Sequence, residues 1–392
     1  MTKKQSNKLS QLFKEFIASE KTGGLLLIFC TALSLIIANN TMGESYHHFW
    51  LQDIGTGTLE YWINDGLMAI FFLLIGLELE REIYIGELSK LKNALLPMFG
   101  ALGGMVVPAF LYLALNAGTD TQSGAGIPMA TDIAFALGVL SLLGKSVPVS
   151  IKIFLTALAV IDDLGAILVI AIFYSGDLLL TNLFISLGIW VVLLLLNRLR
   201  VRNLIPYLIG GVAMWWFMLY SGVHATITGV LLAFAIPFGN GDKKSISYRL
   251  QHFLHAPVAF IILPLFALAN TAIEIKGGLM SLLQERYSLG IALGLIVGKP
   301  VGILSFAFLS VKLKICQLPQ DINWKLVAGT GLLGGIGFTM SIFISLLAFD
   351  NSEVINQSKL SILLSSVIAG TIGFVFLKYA LQKKLKTTSS SA

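Results

Sequence analysis

Two adjacent carboxylates, Asp162 and Asp163, sit at the midpoint of an otherwise apolar run, residues 153–174. A helix rises about 1.5 Å per residue, so this run is long enough to cross the roughly 30 Å hydrocarbon core of a bilayer with both acids near its middle. A single charge at that depth costs at least about 2.5–3.5 kcal/mol. A helix with a purely structural role would not keep two. Carboxylate oxygens are ligands suited to hard cations. Burial beside a like charge also raises a carboxylate's affinity for protons.

Other ionisable residues lie at similar depth. Asp132 follows Thr131 in a run interrupted by Pro128, and Lys299 lies at the centre of residues 288–310. Charges at the membrane centre mark ion pathways, proton relays or paired sites. Asp65 and Glu78 fall near the outer and inner ends of one run, where snorkelling to interface water or a plain salt bridge explains them equally well. Neighbours at i and i+1 on a helix point about 100° apart, so Asp162 and Asp163 cannot easily share one task. One can face an ion while the other meets a partner. Lys299 is the only central cation, and a buried lysine needs a carboxylate to stay charged.

These residues need helices to hold them. The chain has 392 residues, 56% hydrophobic and 12% charged, against about 25% charged in a soluble domain. That composition predicts an all-α polytopic membrane protein. Apolar runs fall near 23–40, 59–85, 95–116, 126–143, 151–175, 182–197, 204–219, 223–238, 251–271, 288–310, 327–349 and 358–380, which predicts twelve transmembrane helices. With both termini inside, 23 of the 27 basic residues fall on the inner side, leaving Lys276, Arg286 and Lys359 outside and Lys299 within a span. The positive-inside rule favours that topology. It also accounts for the net charge of +6 without nucleic acid as a partner.

The first apolar run follows a polar lead too long for a cleaved signal peptide and reads as a retained helix. Cys30 and Cys316 suggest no disulfide framework. Residues 41–58, with Gly55 and Gly57, read as a small hairpin or an irregular loop. The basic, then Ser/Thr-rich tail 383–392 reads as disordered.

Two spans look broken. Pro128 and the Thr131-Asp132 pair interrupt the fourth, and the eleventh carries five glycines between Gly329 and Ser341, with Gly335, Gly337 and Thr339 at its centre. Glycines four apart also serve close helix packing. Interrupted segments in corresponding halves, however, are the best pointer to a transporter's binding site. Half-helix N-termini leave positive partial charge at mid-membrane and C-termini leave negative. Asp132 and Lys299 have the signs to offset them.

Taken together, residues 130–138 (ATDIAFALG), 161–166 (IDDLGA), 221–226 (SGVHAT), 263–267 (LPLFA), 298–300 (GKP) and 335–341 (GIGFTMS) resemble the NhaA family of bacterial sodium/proton antiporters. The resemblance runs from about residue 23 to 381. It implies inverted repeats, spans 3–5 and 10–12, in which broken helices 4 and 11 cross. The core bundle would be about 95–175 plus 288–381. The interface bundle of a homodimer would be about 23–85 plus 182–271, with 41–58 as a pairing hairpin.

The resemblance further implies Asp163 as principal cation ligand, with Asp132 and Thr131 beside it, and Asp162 as partner of Lys299. Glu78, Glu82, His252 and His255 match a pH-responsive region. There Gln251 stands where the best-known members carry a glutamate, and an amide cannot titrate. His224 belongs to a family motif but reads more simply as a packed, hydrogen-bonded histidine.

The implied activity is exchange of cytoplasmic Na+ or Li+ for external H+ by alternating access in the inner membrane, electrogenic and without a cofactor. A carboxylate that holds either a proton or a sodium ion exchanges them by competition. A sodium-coupled solute symporter also uses broken helices. An intramembrane aspartyl protease would want its two acids on facing helices and would leave Lys299 unexplained.

Overall fold

The structure is a computed structural model that describes residues 22–174, 178–275 and 284–389. The basic lead before residue 22 and Lys276 lie outside the described residues. Helix α1 (Thr22–Ala38) turns through 120° into the short α2 (Gly43–Trp50). A hairpin follows: β1 (Asp53–Ile54) pairs antiparallel with β2 (Gly57–Thr58), Asp53 opposite Thr58. Its two-residue turn needs a positive φ, which Gly55 supplies at +74°. Of the two readings open for this segment, the hairpin is the one observed.

Helix α3 (Leu59–Tyr84) starts where the Thr58 hydroxyl accepts the Tyr61 N–H. Helix α4 (Leu91–Asn116) follows. The fourth run divides as expected. A 3-10 helix (Gln122–Met129) gives way at Ala130 to extended backbone, which persists to Asp132, and α5 (Ile133–Leu142) begins there. Then come α6 (Val149–Phe173), α7 (Leu180–Arg198), α8 (Ile205–Leu219), α9 (Ile227–Ala235), α10 (Ile246–Asn270) and α11 (Arg286–Lys312). The eleventh run is two helices, α12 (Trp324–Gly334) and α13 (Phe338–Ala348), bent by 46°, and α14 (Ser352–Ser389) is last.

Among the described residues, eight helices are long and apolar enough to cross a bilayer, and ten segments if each bent pair is one span. The runs at 204–219 and 223–238 fall short of that length. Helix α8 has 15 residues, and the second run is helical only over the nine residues of α9 because turns at Tyr220–Thr226 delay it and Pro237 ends it. Helix α14 departs from expectation at both ends. It begins at Ser352, where the Asn351 side chain accepts the Glu353 N–H, and its backbone stays helical over the tail read as disordered, up to Ser389. No Gly or Pro interrupts 374–389 to stop it.

Helix α4 packs along α11 and α6, α12 against α11 and α14, and α3 against α9 and α10. The large apolar residues of α7 and α8 (Phe184, Val192, Ile209, Val212) point outward, the pattern of a surface in contact with lipid rather than water. Two helices widen into a π-turn just before a proline: Val258–Ile262 ahead of Pro264, and Gly294–Gly298 ahead of Pro300. A proline has no N–H and its ring crowds the preceding turn, so the turn opens to take it. Lys299 is the first residue after that widened turn.

Candidate cation and proton site

The breaks in the fourth and eleventh runs meet. The Asp132 N–H donates to the Ile336 carbonyl at 2.7 Å, and Thr131 Oγ1 lies 3.0 Å from the Gly334 carbonyl. Gly335 lets the break of the eleventh run lie close against α11, since a Cβ there would run into the Leu295 carbonyl. A Cβ on Gly337 would likewise press on Leu295 and Ser341. The glycines that admitted a packing reading therefore do both tasks, thinning the helix where it opens.

Asp132 caps two helices at once. One oxygen accepts the Phe135 N–H at 2.9 Å at the start of α5. The other accepts the Thr339 N–H at 3.1 Å and its hydroxyl at 2.5 Å at the start of α13. A carboxylate is thus set against two positive helix ends. Lys299 does the converse, donating to the Met129 carbonyl at the end of the 3-10 helix. The expected offset of half-helix dipoles has both of its members.

Lys299 is 0% exposed, and its Nζ lies 2.8 Å from Asp162 Oδ2. The same oxygen is 2.7 Å from Thr131 Oγ1, which divides its proton between Asp162 and Gly334. Here the arrangement differs from the simplest expectation: Thr131 bonds to Asp162, while its oxygen lone pairs stay available. Asp163, 1% exposed, is different again. Neither of its oxygens has a hydrogen-bond partner among the described residues, and Asp162 Oδ1 has none either. Asp163 is near enough to Asp132, Asp162 and Lys299 to interact electrostatically with all three. A buried carboxylate without partners costs several kcal/mol unless a proton or a cation joins it. Orphaned carboxylate oxygens are the type of ligand that a hard cation takes.

The other candidates lie elsewhere. Glu78 Oε1 is 3.2 Å from His255 Nε2, joining α3 to α10, and Arg81 reaches Gln251 at 3.5 Å beside them. His252 stacks on Tyr248, over which Arg81 also lies. Glu82, one turn beyond Glu78 on α3, accepts the Glu87 N–H at 2.9 Å and interacts electrostatically with Arg81. His224 Nε2 meets the Tyr174 carbonyl at 2.8 Å, a packed histidine as expected. Asp65 lies in the π-turn of α3, where its carbonyl accepts the Trp215 indole N–H.

Sequence reasoning overlooked two acids. Glu80 is buried against the Ser247 hydroxyl, and Glu60 pairs with Lys359. The alternation of acids at 78, 80 and 82 was a signal that one must face the helix contact. Nothing local marked Glu60.

The family model for Na+/H+ antiporter 1 matches residues 14–377. A relative from Flavobacterium psychrophilum, Na(+)/H(+) antiporter NhaA, is 67% identical over 96% of this chain and 98% of its own length. Na(+)/H(+) antiporter NhaA 1 of Flavobacterium johnsoniae is 60% identical over 97% of this chain and 100% of its own. Na(+)/H(+) antiporter NhaA of Vibrio campbellii is 48% identical over 96% and 97%.

Proposed function

The chain belongs to the Na+/H+ antiporter 1 family, and we propose that it is a multi-pass transporter, not an enzyme, exchanging cytoplasmic Na+ for external H+ across a bacterial inner membrane. The observation that carries the site assignment is the pair of unpartnered, buried oxygens on Asp163. A dehydrated Na+ or Li+ binds there, with Asp163 as principal ligand and Asp132 and Thr131 beside it. Asp162 is held by Lys299 and shapes the site without being its main ligand. Protons arriving from outside compete for the same carboxylates and release the cation. No cofactor takes part, and the proton gradient supplies the energy.

Access alternates as a core (about 95–175 plus 288–381) rocks against an interface bundle (about 23–85 plus 182–271). The core comprises inverted repeats within a twelve-span plan. Two interrupted runs that touch at their breaks, the eleventh bent by 46°, support a movable centre of this kind. The excess of Lys and Arg on one side supports cytoplasmic termini. More than one carboxylate titrates per cation, so the cycle moves net charge and the membrane potential drives it. The 53–58 hairpin pairs two copies into a homodimer. Glu78 and His255, with His252 and Glu82 nearby, adjust the response to pH.

The test is Na+-induced dequenching of a ΔpH dye in everted vesicles across pH 6.5–9, with no organic solute present. Dequenching without solute is expected of an exchanger. A strict need for a co-transported solute would overturn the reading in favour of a symporter.

A further inference from the structure

A second buried lysine is paired far from the crossing. Lys359, two turns into α14, is 5% exposed, and its Nζ lies 3.5 Å from Glu60 Oε1 in the first turn of α3. The two helices are not otherwise packed along each other. Helix α14 rests chiefly on α11, α12 and α13, whereas α3 rests chiefly on α9 and α10 and touches α6 less extensively. The ion pair therefore joins two groups of helices whose main neighbours differ. Other ring contacts across that divide are apolar: Phe343 of α13 meets Phe72 of α3 at 5.3 Å and Phe266 of α10 at 6.5 Å.

Apolar rings can slide past one another at small cost. An ion pair with one member buried cannot, because parting it strands the Lys359 charge, and in part that of half-buried Glu60, unless water reaches both. Such a contact has two favourable states, engaged and dry, or parted and hydrated. We propose that Glu60–Lys359 is a latch on the outer side of the protein. Engaged, it holds that side shut in the conformation described here. It parts and hydrates each time the core turns to face outward. The latch rests on the alternating-access reading above and extends it to residues outside the cation site.

The test uses the full-length protein in everted vesicles, with Cys30 and Cys316 replaced by Ala and the pair Glu60→Cys and Lys359→Cys introduced. Reducible bis-thiosulfonate reagents of graded spacer length are applied, and Na+-driven dequenching is read before and after reduction. The expected result is loss of exchange on bridging and its return on reduction. Each single cysteine variant should be unaffected by the reagents. Undiminished exchange by the bridged protein would overturn the latch while leaving the transport reading intact. So would failure of any spacer to bridge, since the two positions would then not meet. Absence of exchange in the wild-type protein would instead remove the reading on which the latch rests. Charge reversal supplies a second route. Glu60→Lys alone and Lys359→Glu alone should each slow exchange, and the two together should recover it. No recovery would also count against the latch.

Discussion

The crossing of the broken runs and the seam between α3 and α10 both bury polar groups between helices, and they do it in opposite ways. Along the seam, polar groups are matched one to one and neither helix breaks, although each carries one π-turn. Asn64 and Asn270 exchange amide hydrogen bonds at 2.7 and 3.4 Å, Glu78 meets His255, and Ser247 meets Glu80. At the crossing the helices open, Asp132 and Lys299 attend to the loose ends, and Asp163 is left with no partner. Reciprocal pairing fastens two helices. Withheld pairing leaves a place for something that comes and goes.

Replacing the unpartnered group should separate the two regions most sharply. Asp163→Asn should abolish Na+-dependent collapse of a pH gradient in everted vesicles and leave the folded protein intact. Full activity would refute the site assignment. Next comes Lys299→Ala, which strands Asp162 as an uncompensated buried charge and should cost about 3–5 kcal/mol of stability. A thermal unfolding series in detergent would register it, and Asp162→Asn in the same chain should recover most of the loss. If apparent Na+ affinity also changes its dependence on pH, Lys299 carries protons as well as fixing Asp162.

A seam residue should behave differently. Asn270→Leu leaves Asn64 without its partner and should cost about 1–3 kcal/mol in the same unfolding assay. Apparent Na+ affinity should stay where it was, and a change would mean that the seam takes part in binding. Thr339→Val removes the hydroxyl that orients Asp132. It should weaken apparent Na+ affinity by about 1–2 kcal/mol, roughly five- to thirtyfold, with a smaller effect on stability. The smallest effect is expected at the inner end of the seam. Glu78→Gln and His255→Gln should displace the pH profile of exchange by similar amounts, and the double variant by no more than either. Additive displacements would mean that the two residues act separately.

The chemistry of the crossing was legible because its signals are expensive ones. Carboxylates and a lysine at mid-membrane, Pro128 in one run and five glycines in another cannot be explained cheaply in an apolar helix. The pairing of Asp162 with Lys299 followed from the family likeness, and the structure has it. The assignment of Thr131 to Asp162 was not legible, because it depends on how two irregular backbones turn against each other. The burial of Lys359 was not legible, for a related reason. A tally of charges places it at an outer boundary, whereas its burial comes from a helix starting earlier than hydropathy alone suggests and from a partner some 300 residues away in sequence. Prolines 264 and 300 were read only as parts of motifs, and the widened turns ahead of them were not foreseen.

That widened form at Gly294–Gly298 has its own consequence. A π-turn is what an α-helix becomes on accepting one surplus residue. Everything beyond it, Lys299 first, is set about 100° round from where an uninterrupted helix would aim it. Deleting one residue from 294–297 would shift neither length nor hydropathy enough to notice. The lysine would nonetheless swing off Asp162 while the preceding turns of α11 stayed seated. In this stretch the spacing of the chain is itself a functional trait, and a scan of substitutions alone would never reveal it.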